Sequence, residues 1–162
     1  MVSLIDAASR WLARLSVAVS VGMFAAMLVA LTYQVVARYF FNAPPAWTEE
    51  FSLAMFTWIV LLMGSVGVRE GFHVLLDLWP ASLANWVHAT LTRGTQLITL
   101  GVGLILLQSG WAYVADTKGQ VSAAITYPIE ALHAAAPICG LLIAVHAFAA
   151  LLKPPPPQEI AP

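Results

Sequence analysis

The sequence predicts an all-α integral membrane protein with four transmembrane helices and short interfacial amphipathic helices. Of its 162 residues, 60% are hydrophobic and only 9% are charged, whereas roughly a quarter are charged in an ordinary soluble domain. The charges separate four long stretches that contain no Asp, Glu, Lys or Arg. Each stretch is close in length to the about 20 residues that a helix needs to cross the bilayer core. The predicted spans are 15–37, 51–68, 94–115 and 131–152.

The first element is a cytoplasmic amphipathic N-terminus, residues 1–14, which leads into the first span. Leu4, Ala8, Trp11 and Leu15 recur at helical spacing along it, as in a helix that lies in the membrane surface. The first span is longer than the run of about 7 to 15 apolar residues in a signal peptide. It is therefore expected to be retained.

The second and fourth spans carry recognisable helix ends. Thr48 is expected to cap the second span, and Glu49 and Glu50 follow in its first turn, where the helix dipole favours negative charge. Arg69 closes the same span. Pro137 lies inside the fourth span and predicts a kink there.

Two further segments lie outside the spans. The cytoplasmic segment 69–93 is predicted to be interfacial, because apolar residues recur in it at three- and four-residue spacing after Pro80. A short helix packed on the chain's own bundle is the alternative. Residues 153–162 form a Pro-rich cytoplasmic tail that cannot be helical.

The distribution of positive charge predicts that both termini are cytoplasmic. This orientation places five Lys or Arg residues on the cytoplasmic side and two, Arg38 and Lys118, on the other, as the positive-inside rule requires. Aromatic anchors are expected near the span ends. They are Trp11, Trp79, Trp86 and Trp111.

Composition and motifs exclude several functions. The sequence has no stripe of Lys and Arg residues of the kind that binds nucleic acid. The single cysteine, Cys139, cannot form an intramolecular disulfide. No carboxylate lies inside a span, which argues against an autonomous proton-coupled exporter. The sequence contains no HExxH, CxxC or phosphate loop, so we expect no catalytic residue and no metal site.

Paired histidines leave one alternative, a haem-binding membrane anchor for a redox enzyme. His133 and His146 both belong to the fourth span, and histidines can serve as axial haem ligands. Their spacing places them about 140° apart around a helix. They therefore do not share a face.

Helix packing is the remaining feature. A small-residue stripe at four-residue spacing runs along the first span, where another helix could approach closely; its residues are Ala18, Gly22, Ala26 and Ala30. Chance is the alternative explanation, since alanine is common in membrane helices. A bundle without its own transport chemistry suggests a subunit that serves a larger membrane partner.

The middle of the chain resembles the small membrane subunit of tripartite ATP-independent periplasmic (TRAP) transporters. The resemblance is carried by the order and spacing of three motifs. They are Val36-Ala37-Arg38-Tyr39-Phe40-Phe41-Asn42, then Trp47-Thr48-Glu49-Glu50-Phe51, then Gly64 with Arg69, His73 and Asp77.

The resemblance implies a bacterial inner-membrane complex of three parts. A periplasmic binding protein would deliver an organic acid, a large membrane subunit would hold the substrate and sodium sites, and this chain would be its scaffold. No substrate-binding residue and no cofactor are expected in the chain itself.

The residues of these motifs are candidate partner contacts. They are Arg38, Trp47, Glu49, Glu50, Arg69, His73 and Asp77. For Glu49 and Glu50, interaction with the helix dipole is the alternative. Arg38 is expected to pair with either glutamate, and Arg69, His73 and Asp77 to brace the interfacial segment or contact lipid headgroups.

Overall fold

The computed structural model describes residues 2–71 and 85–153 and confirms the all-α membrane class. Four helical stretches in this part of the chain are long and apolar enough to cross a membrane. The helices are α1 (Val2–Phe41), α2 (Trp47–Glu70), α3 (Asn85–Asp116), α4 (Ile129–His133) and α5 (Ala135–Leu151). The predicted tail, 153–162, lies outside the described residues from position 154 onward.

Helix α1 joins the predicted N-terminal segment 1–14 and the first span in one continuous helix. The reason is local, because residues 2–41 contain no proline and a single glycine, Gly22. At 1.5 Å per residue, its 40 residues reach about 60 Å. That is about twice the thickness of the hydrocarbon core, so α1 extends beyond the apolar layer.

The buried face of α1 repeats every three and four residues and packs along α2. Most of its buried residues are small, which lets the two helices approach closely. They are Ser9, Ala13, Ser16, Ser20, Ala30, Gln34 and Ala37. Of the small-residue stripe, only Ala30 belongs to this face, whereas Ala18, Gly22 and Ala26 are exposed.

The start of α2 differs from the prediction. Ala46 is the N-cap, and the Thr48 hydroxyl donates a hydrogen bond to the Pro45 carbonyl at 2.8 Å instead of accepting one from a helix N–H. The expectation that Thr48 caps the helix is therefore wrong. Glu49 and Glu50 do lie in the first turn of α2.

The spans form an open row instead of the expected bundle. Helix α1 packs along α2, α2 along α5, and α5 along α3, while α1 meets α5 over a shorter stretch. Helix α5 is therefore the most enclosed, and α1 and α3 are the outer helices. An open row leaves two broad apolar faces.

The closest pair in the row is α3 with α5, and glycines make it possible. A Cβ atom on Gly140 would lie 2.5 Å from the backbone nitrogen of Leu107, and one on Gly103 would lie 2.8 Å from that of Ala144. Side chains at these positions would separate the helices, so glycine is required for the backbone contact.

The fourth span is interrupted between α4 and α5, at Ala134. Pro137 explains the break, because proline lacks an N–H and its ring clashes with the carbonyl four residues earlier, that of His133. The predicted kink lies at this point. Before it, residues 117–128 connect α3 to α4 and contain one isolated β-bridge, between Val121 and Pro128.

Candidate functional site

Polar side chains gather at two places in the row. The first, which we name the Asp6 cluster, lies where α1 begins and where α2 and α5 end. Its members are Asp6, Ser9, Arg10, Arg69, His146 and Lys153. The second, at the opposite end, is centred on Glu49 and Glu50.

Asp6 holds three cations at once. Its Oδ1 atom lies 3.3 Å from Nη2 of Arg69 and 2.6 Å from Nζ of Lys153, and its Oδ2 atom pairs with Arg10 one helical turn away. These groups belong to α1, to the last turn of α2 and to the residues just after α5. One carboxylate therefore ties three helices together.

A chain of hydrogen bonds continues from Arg69 into the protein. Arg69 Nη1 donates to the hydroxyl of Ser9, and Ser9 Oγ lies 2.8 Å from Nδ1 of His146. A guanidinium can only donate, so the Ser9 proton is available to His146. The other ring nitrogen of His146, Nε2, is a buried atom with no partner among the described residues.

The Ser9 and His146 pair is not a catalytic dyad. Ser9 is 0% exposed and His146 is 2% exposed, so a substrate cannot reach the hydroxyl. Asp6 binds the three cations instead of orienting the imidazole, whereas a catalytic serine needs a base that is itself oriented. The pair therefore acts in helix packing.

His133 and His146 lie in separate environments. His133 Nδ1 is 2.9 Å from the Thr117 hydroxyl, and its ring packs on Tyr113 with the centroids 4.3 Å apart. His146 instead contacts Ser9 near the other end of the row. Within residues 2–71 and 85–153, no group of three or more His, Cys, Asp or Glu side chains could hold a metal ion.

Glu50 holds the loop between α3 and α4. Its carboxylate accepts hydrogen bonds from the backbone N–H groups of Ala123, Ala124 and Ile125, at 3.2, 3.0 and 2.9 Å. Three successive N–H groups that converge on one anion form a concave anion site. Neither role that the sequence suggests for Glu50, partner contact or helix-dipole interaction, includes this bond.

Glu49 faces α1 and not the loop. Its Oε1 atom accepts a hydrogen bond from Nε2 of Gln34 at 3.0 Å and lies 3.9 Å from Nη2 of Arg38. Both Arg38 and Glu49 are largely exposed, and exposed ion pairs contribute little. The adjacent glutamates therefore serve two different contacts.

The loop of residues 117–128 has further anchors besides Glu50. The carboxylate of Glu130 accepts a hydrogen bond from the backbone N–H of Gly119 at 2.5 Å, and the Ser122 N–H donates to the Tyr127 carbonyl at 2.9 Å. Desolvation and the nearby charge of Glu50 raise the pKa of the Tyr127 hydroxyl. The phenol is therefore neutral near pH 7.

The other predicted contact residues are scattered. Trp47 stacks on Tyr33 with ring centroids 6.0 Å apart and meets Phe51 edge-on. Trp11 and Trp111 are exposed. His73, Asp77 and Trp79 lie outside the described residues, and only the backbone of Trp86 is described, inside α3.

Sequence reasoning missed Asp6 and Ser9 as structural residues. The Asp6 and Arg10 pair at four-residue spacing is visible in the sequence, and such spacing is typical of a helical ion pair. No local pattern shows that Arg69 and Lys153 meet the same carboxylate. Those contacts come from helices that are distant in sequence.

The fold and these two polar ends define a multi-pass membrane protein whose polar residues hold helices together. Residues 27–154 match the family model described as "Tripartite ATP-independent periplasmic transporters, DctQ component". Because the match covers most of the chain, the protein belongs to this family. Four helices long and apolar enough to cross a membrane, within the described residues, agree with a membrane component of this family.

Curated relatives agree with the family. The chain is 32% identical over 98 residues to the C4-dicarboxylate TRAP transporter small permease protein DctQ of Vibrio cholerae, across 57% of this chain and 40% of the relative. It is 24% identical over 90 residues to the sialic acid TRAP transporter small permease protein SiaQ of the same organism, across 55% and 52%. The chain thus matches about half of each relative's length.

A third relative is much longer. The sialic acid TRAP transporter permease protein SiaT of Haemophilus influenzae is 23% identical over 121 residues, which are 75% of this chain but 20% of the relative. In that permease, a segment similar to this chain is therefore part of a larger polypeptide.

Proposed function

We propose that this chain is the small scaffold subunit of a TRAP transporter. It would support a large membrane subunit in sodium-driven import of an organic acid that a periplasmic binding protein delivers. The single observation that carries the proposal is the family match over residues 27–154. The structure adds physical reasons for a supporting role.

The position of the charges favours a scaffold over a transporting subunit. Ionisable residues inside a membrane usually mark ion or substrate pathways. Here the Asp6 cluster and the two glutamates lie near opposite ends of the row, and the predicted spans 15–37, 51–68, 94–115 and 131–152 contain no Asp, Glu, Lys or Arg. Sodium and substrate would therefore bind in the large subunit.

The open row also favours a partner within the membrane. Large apolar side chains are exposed along both outer helices, for example Val29 on α1 and Ile105 on α3. The relationship to the SiaT permease supports the same partner, because a similar segment is there joined to a much longer chain. We infer that one face of the row packs against the large subunit.

Substrate and orientation belong to the proposal as well. Two relatives are named for C4-dicarboxylates and for sialic acid, so an organic carboxylate is the expected substrate class. We place both termini in the cytoplasm, following the positive-inside rule. The Glu50 end and residues 117–128 would then face the periplasmic binding protein.

The test is a mild-detergent purification of the tagged chain from its native membranes, with mass spectrometry of co-purified proteins and a visible spectrum of the same sample. Recovery of a large hydrophobic permease without a haem band supports the scaffold. Recovery of a peripheral oxidoreductase with a haem band would establish the redox anchor instead. Recovery of the chain alone would contradict both assignments.

A further inference from the structure

An apolar groove opens between α1 and α5 over the surface of α2. It has a volume of about 430 Å³, and we name it the α1–α5 groove. Its lining is Leu12, Leu15, Ser16, Val19, Met23, Trp58, Leu62, Ile138 and Leu142. All three helices that form it belong to membrane spans, so the groove lies at the depth of the lipid chains.

The side chains that line the groove do not require hydrogen bonds from an occupant. Trp58 is its main polar wall residue, and the indole N–H already donates to the Ala131 carbonyl at 3.2 Å. Hydroxyl groups such as that of Ser16 can hydrogen-bond within their own helix. An occupant therefore needs to supply hydrocarbon and nothing else.

The size of the groove favours a thin chain over a helix. A helix is about 10 Å across with its side chains, so 430 Å³ holds only about one turn of it. A flexible acyl chain can instead follow the groove along its length.

The depth of the groove matches the length of a lipid chain in one leaflet. Trp58 lines the groove, and Arg69 follows it by 11 residues within α2, which is about three helical turns and returns to the same face. At 1.5 Å per residue the two are about 16 Å apart along the axis, and half of the roughly 30 Å core is about 15 Å. A lipid whose chain ends beside Trp58 would place its headgroup at the level of Arg69, which shares the Asp6 carboxylate with Lys153.

The charge near Lys153 complements an anionic headgroup. The Asp6 cluster contains the three cations Arg10, Arg69 and Lys153 against one carboxylate, which leaves a formal surplus of positive charge. Lys153 remains 46% exposed and joins the end of α5 to Asp6 of α1, the two helices that border the groove, so it can reach a phosphate there. Basic sites between transmembrane helices are typical binding sites for anionic lipid headgroups.

We propose that the α1–α5 groove is a binding site for an anionic phospholipid. One acyl chain fills the groove beside Trp58, and the phosphate lies at Lys153. The lipid seals the gap that the open row leaves between α1 and α5. The proposal requires only that the spans lie in a bilayer, so it stands or falls separately from the transport assignment.

The experiment measures quenching of Trp58 fluorescence by brominated lipid. The chain is reconstituted in dioleoylphosphatidylcholine vesicles that contain a minor fraction of brominated phosphatidylglycerol or of brominated phosphatidylcholine. The Trp58 signal is the difference between the wild-type protein and the Trp58→Phe variant. The fraction of brominated phosphatidylglycerol that gives half-quenching should be lower than that of brominated phosphatidylcholine. The difference should be about fivefold for each cation that contacts the phosphate, which corresponds to about 1 kcal/mol per cation.

Paired variants distinguish the site of the acyl chain from the site of the lipid headgroup. Val19→Phe fills the groove and should abolish preferential quenching, whereas Val21→Phe, at an exposed valine outside the lining, should not. Lys153→Gln should reduce the preference for phosphatidylglycerol, and Lys153→Arg should retain it. Circular dichroism confirms that each variant is folded.

Three results would overturn the proposal. The first is equal quenching by the two lipids, as expected for unselective lipid around the protein. The second is preferential quenching that survives in Val19→Phe. The third is loss of Trp58 quenching by brominated phosphatidylglycerol when the same measurement is made on the complex with a co-purified permease, since a protein segment would then occupy the groove.

Discussion

Glu50 accepts a hydrogen bond from the backbone N–H of Ile125, 75 residues further along the chain, at 2.9 Å. Its carboxylate also receives the N–H groups of Ala123 and Ala124. Glu50 lies in the first turn of α2, and the three amides lie in the connection between α3 and α4. One side chain therefore ties the start of α2 to the loop between α3 and α4.

Replacing Glu50 should loosen this loop. In Glu50→Ala, the amides of Ala123, Ala124 and Ile125 lose their acceptor and should exchange faster with solvent. Hydrogen exchange followed by mass spectrometry of the peptide that contains them measures the effect. Glu49→Ala is the matched control, because Glu49 bonds Gln34 and leaves the loop untouched. Equal exchange in both variants would show that Glu50 does not hold the loop.

The double substitution Glu49→Ala, Glu50→Ala should reduce uptake or assembly of the transporter. It removes the loop contact of Glu50 and the contact between Glu49 and α1 together. Transport of a labelled dicarboxylate or sialic acid into proteoliposomes, with recovery of the large subunit, is the measurement. Wild-type values for both quantities would refute the prediction. The single variants then show which glutamate matters.

The sequence was sufficient for the helices but not for their arrangement. Charges at the span ends, such as Arg69 and Asp116, mark where apolar stretches stop, and Pro137 marks the break in the fourth span. The order of the row depends on close contacts such as Gly103 with Gly140, which no periodicity predicts. The contact of Glu50 with the loop joins residues 73 to 75 positions apart and is equally hidden from local patterns.

Gly140→Ala should destabilise the protein, because the new Cβ atom would lie 2.5 Å from the backbone nitrogen of Leu107. Overpacking of this kind costs about 1–3 kcal/mol. Thermal unfolding in detergent, followed by circular dichroism, should show a lower midpoint. Gly101→Ala is the control, since a Cβ atom there has no neighbour within 4 Å and alanine favours a helix by about 1 kcal/mol. A midpoint for Gly140→Ala at or above that of wild type would contradict the proposed close contact.

Thiol labelling should test the orientation of the chain. Ser3 and Lys118 are exposed and lie near opposite ends of the row. With both termini cytoplasmic, a membrane-impermeant maleimide should label Lys118→Cys in cells with a permeabilised outer membrane. It should label Ser3→Cys only after the inner membrane is opened. The wild-type chain is the control, because Cys139 is buried. The reverse pattern would invert the orientation.

A large side chain in the exposed part of the small-residue stripe should affect binding of the partner but not the stability of the isolated chain. Gly22 lies on α1, and a Cβ atom at this position would have no neighbour within 4 Å, so Gly22→Leu should leave the unfolding midpoint of the isolated chain near that of wild type. If the large subunit packs closely on this stripe, a leucine there should remove most of its co-purification. Ala112→Leu, at an exposed alanine of the other outer helix, α3, is the control and should retain it. Equal recovery with both variants would mean that the stripe is a lipid-facing surface and that another face of the row carries the partner.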